Sequence, residues 1–258
     1  MRLLILIACL SLWAASSNAA TPTNAPTDAT TATPTNAEIV DQIYRQVTEF
    51  EEKFPATYSR RNVTLRELDP DDGEVRKTKT MVQEVWAHVG ERARVEILSC
   101  AVDGEASEIE DCKGKDRGGD PPYRIFGPDG HKHYRFELGG PEQRNDLSVY
   151  ELRVIPREKT SRHFEGELYF TAGDLRLVRS KGTLADYPLG LSKLAFDLSF
   201  DELDGQPVPG TSKMDMTLYL PLILNVRVVS ESAASEQRLL AAESPAVSGG
   251  PPEGAAAD

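Results

Sequence analysis

The chain has 258 residues, 40% of them hydrophobic, with a net charge of −12 and an isoelectric point near 4.9. That length suffices for one domain with a core of ordinary size. An acidic chain is repelled by phosphate backbones and anionic headgroups, so nucleic acid and anionic membrane surfaces are excluded as electrostatic partners.

Residues 1–19 predict an export signal: Arg2, an apolar run from Leu3 to Ala15, then small residues up to Ala19. The mature protein is expected to be periplasmic or secreted. A competing reading takes Leu6-Ile7-Ala8-Cys9 as a lipobox with Cys9 lipidated, but the apolar stretch before Cys9 is only about six residues and continues past it. No later run approaches the roughly 18 apolar residues of a transmembrane segment. Residues 20–37, rich in Thr, Pro and Ala, read as a disordered linker, and residues 243–258, rich in Pro, Gly and Ala, as a disordered tail. The folded domain is expected at 38–242.

Glu38 to Phe54 predicts an amphipathic helix, with Ile39, Ile43, Val47, Phe50 and Phe54 on one stripe, Asn36 as a candidate cap and Pro55 as the stop. Strands are then expected over Thr57–Leu68, Lys77–Val89 and Ala93–Cys100. Tyr123–Phe126 and His131–Leu138 read as a hairpin around Gly127-Pro128-Asp129-Gly130. Tyr150–Pro156, His163–Phe170, Leu175–Leu184, Ser192–Leu203 and a last strand ending at Leu220 follow. The fold class is mainly β (α+β), a curved antiparallel sheet or unclosed barrel of about ten strands wrapped around the N-terminal helix.

Alternation places Leu194, Phe196, Leu198 and Phe200 on one face of their strand, and Met214, Met216, Leu218 and Leu220 on one face of the next. Tyr134, Phe136, Leu152 and Val154 are expected to share that surface. A helix of about 17 residues is about 25 Å long, whereas ten strands span about 48 Å. Apolar surface is left over, either plugged by loops or open as a hydrophobic cleft.

Without Cys9 the chain keeps Cys100 and Cys112, which read as one disulfide in an exported protein. No Gly-x-Ser-x-Gly, His-Glu-x-x-His or phosphate-cradling loop is present, so no catalytic residue, cofactor or metal site is assigned. His131 and His133, with His163 or His88, form the nearest approach to a metal set and read more simply as a wet strand face. Arg60 and Arg61 read as outward salt-bridge partners. Asn62-Val63-Thr64 fits a glycosylation sequon, but the signal and linker have a bacterial character.

The run Tyr150-Glu151-Leu152-Arg153-Val154-Ile155-Pro156-Arg157, followed by strand, turn and strand at Glu167 to Gly182, resembles the periplasmic lipoprotein carriers and outer-membrane lipoprotein-sorting proteins, the LolA/LolB-like group. Val85-Trp86-Ala87 and Arg94-Val95-Glu96 are similar to that group's early Trp-containing hairpin, although its Pro-Asn turn is missing; Arg92 and Arg94 both fall near the carriers' lid-holding arginine. The resemblance implies an unclosed barrel with a helix across its mouth and an interior that takes acyl chains. The expected function is therefore non-catalytic binding, carriage or sensing of a lipid, lipoprotein or other amphiphile in the bacterial envelope. The alternative is a plugged domain that binds an envelope protein partner on its surface.

Overall fold

The computed structural model describes residues 34–53, 56–87, 93–113, 124–127, 129–144, 146–221 and 224–240. The signal, Cys9, most of the linker, the tail, His88, Arg92, Tyr123 and Phe54 lie outside them, as does the side chain of Phe50. Helix α1 (Asn36–Lys53) precedes strands β1 (Thr57–Leu68), β2 (Val75–Ala87), β3 (Arg94–Val102) and β4 (Glu105–Ala106). Two single-turn helices, α2 (Ile109–Cys112) and α3 (Gly130–His133), lead to β5 (Tyr134–Leu138), β6 (Glu142–Arg144), β7 (Leu147–Pro156) and β8 (Phe164–Thr171). The chain ends in β9 (Leu177–Leu184), β10 (Leu191–Leu203), β11 (Gln206–Leu220) and β12 (Leu224–Leu239).

All twelve strands belong to one antiparallel sheet in the order β4-β3-β2-β1-β12-β11-β10-β9-β8-β7-β5, with β6 on β7. β4 and β5 stand at its two ends, so the barrel is not closed. Two meanders meet where β1 pairs with β12 over nearly their whole lengths, Thr57 opposite Leu239 and Leu68 opposite Arg227. That long-range pairing ties the N-terminal part of the domain to its C-terminal end.

The structure corrects several expectations. β12 goes beyond the sequence reading, because its inward positions run Val226, Val228, Ser230, Ser232 and lose their apolar signal halfway along. β4 and β6 were likewise too short to register. The expected hairpin around Gly127 is absent: residues 124–127 form no strand, and His131–His133 lie in α3 instead of β5. The cause is tight folding back of the segment, with the Gly130 N–H donating to Gly127 O and the Lys132 N–H to Asp129 O, which winds the turn into a helical one. Ile125 and Phe126 are buried beneath α1. The helix is capped by Thr35, not Asn36: the Glu38 N–H donates to Thr35 Oγ1 at 3.3 Å, and the Thr35 N–H donates to Glu38 Oε2 at 2.7 Å. This reciprocal capping box holds the Glu38 carboxyl below its usual range. Asn36 donates from its side chain to Leu138 O, pinning the start of α1 to β5.

Candidate functional site

Among the described residues, the inward face of the sheet carries three apolar clusters. The first is the helix seat: Ile39, Ile43 and Val47 of α1 pack on Tyr134, Leu152, Val154, Leu168, Phe170 and the Phe196, Leu198 and Phe200 row of β10. The side chains of Tyr134, Leu152 and Val154 are wholly shielded from solvent. Tyr44 locks the helix laterally, since its hydroxyl donates to Gly127 O and its ring stacks on His131 with centroids 4.1 Å apart. Phe136 is half-buried against this cluster.

The second cluster lies where β1, β10, β11 and β12 curve together. Leu65, Leu194, Met216, Val226 and Val228 are buried there, while Leu184, Tyr187, Leu191, Met214 and Leu218 are only partly covered. Among the described residues, no helix belongs to this cluster. Its rim is the turn between β9 and β10. Gly190, at φ +92°, lets that turn pack close to Leu220, and the Tyr219 N–H donates to Gly190 O. Leu189 at the tip of the turn is 99% exposed, and Tyr219 beside it is 50% exposed. The third cluster joins Val63, Met81, Cys100 and Cys112 under α2. The Cys100–Cys112 disulfide is present and straps α2 to β3.

The twelve expected lining residues therefore share one face of the sheet but not one site. Tyr134, Phe136, Leu152, Val154, Phe196, Leu198 and Phe200 belong with the helix, while Leu194, Met214, Met216 and Leu218 belong to the second cluster, and half-buried Leu220 stands at its rim. Sequence alternation gives the face of each residue but not where along a 13- or 15-residue strand the helix stops covering it.

Other candidates resolve as follows. His163 is buried, its Nδ1 2.7 Å from Thr160 Oγ1 and its Nε2 3.3 Å from His133 Nδ1; burial first, then the His133 charge, push its pKa down. His131 instead stacks on Tyr44, and no three His, Cys, Asp or Glu side chains among the described residues cluster as metal ligands. Arg60 pairs with Glu84 at 2.9 Å, and Arg61 donates to Pro209 O at 2.5 Å. Arg94 lies over the Trp86 ring at 4.7 Å, on the outer face. Asp215 is no bare surface carboxylate: Arg227 grips it with two hydrogen bonds of 2.9 and 2.7 Å, which lower its pKa.

The outer face holds a feature that sequence reading passed over. A groove of 770 Å³ runs across β7 to β12, floored by Tyr169, Arg179, Asp197, Ser199, Thr211 and Lys213. These are the polar alternates of the apolar rows. Each strand reads simply as wet, and a groove that takes its walls from six adjacent strands is written in none of them singly. Arg179 meets Asp197 through two hydrogen bonds of 2.7 and 2.6 Å, holding that carboxyl below its usual range. The Tyr169 hydroxyl donates to Glu167 at 2.5 Å; burial chiefly, with that bond, pushes its pKa up to about 12.

No protein-family model matches the chain, and no curated protein is detectably similar in sequence. Solved structures are similar in fold. A LolA superfamily protein from Nitrosomonas europaea is 15% identical, with 78% of this chain and 93% of that one covered and a TM-score of 0.39. A DUF1329 family protein from Desulfovibrio piger is 12% identical over 78% and 92%, with a TM-score of 0.36. A candidate outer membrane lipoprotein-sorting protein domain from Vibrio parahaemolyticus is 14% identical over 80% and 92%, with a TM-score of 0.35.

Proposed function

We propose that this protein is exported after Ala19 into the bacterial envelope and there binds, without catalysis, the acyl chains of a lipid, lipoprotein or other amphiphile. The observation that carries this reading is the second apolar cluster. Half-covered Leu184, Tyr187, Leu191, Met214 and Leu218 surround a buried floor, with no helix of the described residues among them and the fully exposed Leu189 at the rim. Methionines suit a wall that must repack around chains of different shape. Burying one methylene contributes about 0.8 kcal/mol, so eight give about 6 kcal/mol before the costs of association. The disulfide fits an oxidising compartment.

Titration with a fluorescent fatty acid tests the reading. Leu218→Asp places a carboxylate in the half-covered wall and is expected to abolish saturable binding, whereas Lys193→Ala, on the exposed outer face of β10, leaves it unchanged. Absence of saturable binding to the wild type, or equal binding to all three proteins, would favour the plugged interaction domain.

A further inference from the structure

We propose that the groove on the outer face is a binding site for a linear oligosaccharide without net charge. This is independent of the acyl reading, because groove and apolar clusters lie on opposite faces of the same strands: Asp197 and Ser199 floor the groove while Phe196, Leu198 and Phe200 pack under α1.

The volume of 770 Å³ falls in the range of built ligand sites. From Val149 on β7 to Glu231 on β12 the lining crosses six strands, and five strand spacings make about 24 Å. That shape suits an extended ligand. Its chemistry follows from how the charges are paired. Arg179 is held by Asp197, Lys213 by Glu231 at 3.2 Å, and Arg144 by Glu142 and by Glu151 at 3.3 Å. A phosphate or sulfate drawn to any of these cations meets its carboxylate partner as well, so a charged ligand gains little. A sugar hydroxyl donates to the carboxylate and accepts from the guanidinium or ammonium at once, and adds no charge. Ser199 Oγ and Thr211 Oγ1, 2.7 Å apart, extend the row of hydroxyl partners between the ion pairs.

A peptide fits less well. Every strand from β7 to β12 is hydrogen-bonded on both sides, and the edge that borders the groove among the described residues is β6, whose three residues give a peptide backbone little length to join. The exposed apolar lining is thin, Leu147 and half-buried Val178, since Val149 and the Tyr169 ring are buried, the ring beneath the Arg144 guanidinium 4.3 Å from its centroid. So little apolar surface leaves the side chains of an apolar peptide nothing to bury against, whereas hydroxyl groups find partners along the whole row.

The test is calorimetric titration of the purified protein with linear hexasaccharides: chitohexaose, cellohexaose, maltohexaose and a sulfated heparin fragment. At least one neutral hexasaccharide should bind saturably, with an affinity that changes little between about 0.05 and about 0.5 M salt. Thr211→Trp, at an exposed position, fills the groove without touching the core and should weaken binding at least about tenfold. Ser199→Ala should weaken it more mildly, and circular dichroism verifies that both variants fold. Leu218→Asp should leave sugar binding intact. Failure of all neutral sugars to bind, binding indifferent to Thr211→Trp, or binding of the sulfated fragment alone with steep salt dependence would overturn the proposal. Capture of an uncharged polar hexapeptide in place of the sugars would overturn it equally.

Discussion

The ring of Phe164 fills the space that Gly182 leaves empty. A Cβ at Gly182 would stand 2.7 Å from Phe164 Cζ and 2.5 Å from Glu165 O, and the opposed Gly166 would crowd the same ring at 2.6 Å. This glycine pair lets an aromatic side chain lie flat on the sheet and reach Phe196, whose ring centroid is 5.5 Å away. Gly182→Ala is therefore expected to destabilise by about 1–3 kcal/mol through overpacking. Gly173→Ala, with open space around its Cβ position, should cost nothing comparable. Urea denaturation of the two variants separates steric crowding from a general intolerance of change at glycine.

The clearest parts of the fold were legible because their signals were local. β1 is found at Thr57–Leu68 and β10 at Leu191–Leu203, where β-branched residues, alternation and flanking turns agree. The stripe of α1 was readable at Ile39, Ile43 and Val47 for the same reason. What could not be read depends on distant partners. β12 becomes a strand through pairing with both β1 and β11, although its inward row passes from Val226 and Val228 to Ser230 and Ser232. The fold-back at Ile125 to His133 depends on Tyr44, more than 80 positions earlier. The division of one apolar face into a covered and a half-covered region, and the groove on its reverse, follow from how distant strands and α1 are brought together, which alternation does not encode.

Ser180 is fully buried on β9 opposite Leu198 and Leu168, and its hydroxyl has no hydrogen-bond partner among the described residues. A buried hydroxyl without a partner costs about 1–3 kcal/mol in lost hydration. Ser180→Ala is expected to be neutral or to raise the urea midpoint. A clear loss of stability would mean that the hydroxyl is satisfied in solution.

Removing the disulfide by a Cys100→Ser and Cys112→Ser double change should cost about 3 kcal/mol, the loop entropy for a separation of 12 residues. The loss should concentrate at the β3 edge, where the bridge closes the Val63 and Met81 cluster. Hydrogen exchange should then show β2 and β3 loosening while β8 to β10 keep their protection.

Stability should also fall in mild acid. The folded His163 imidazole has a pKa below the ordinary value of about 6.5, because it is buried and faces His133, with Arg162 adding to and Glu158 opposing the effect. Between the folded value and about 6.5 the unfolded chain binds more protons, so stability rises with pH across that window. His163 thus contributes stability that is complete above about pH 6.5 and is lost as the pH falls through its lower folded value. Urea midpoints measured down to about pH 5 should show this slope, and His163→Gln should flatten it. An unchanged slope in the variant would assign the acid sensitivity to other groups.

Helix docking and acyl binding should be separable, because they use different clusters on the same face. Ile43 is 1% exposed at the centre of the helix seat, and Ile43→Ala is expected to cost about 2–5 kcal/mol. Arg45, exposed on the solvent side of α1, makes a long contact from Nε to Asp41 O at 3.4 Å, and Arg45→Ala should change stability by less than about 0.5 kcal/mol. If acyl chains enter the second cluster alone, folded Ile43→Ala should bind the fluorescent fatty acid as the wild type does, since Leu194, Met214, Met216 and Leu218 pack on no described side chain of α1. If α1 instead lifts to admit the chain into its own seat, weakening its docking raises the population of the open form, and Ile43→Ala should bind more tightly. Fatty-acid titrations of the two helix variants, run beside their denaturation curves, distinguish a site beside the helix from one beneath it.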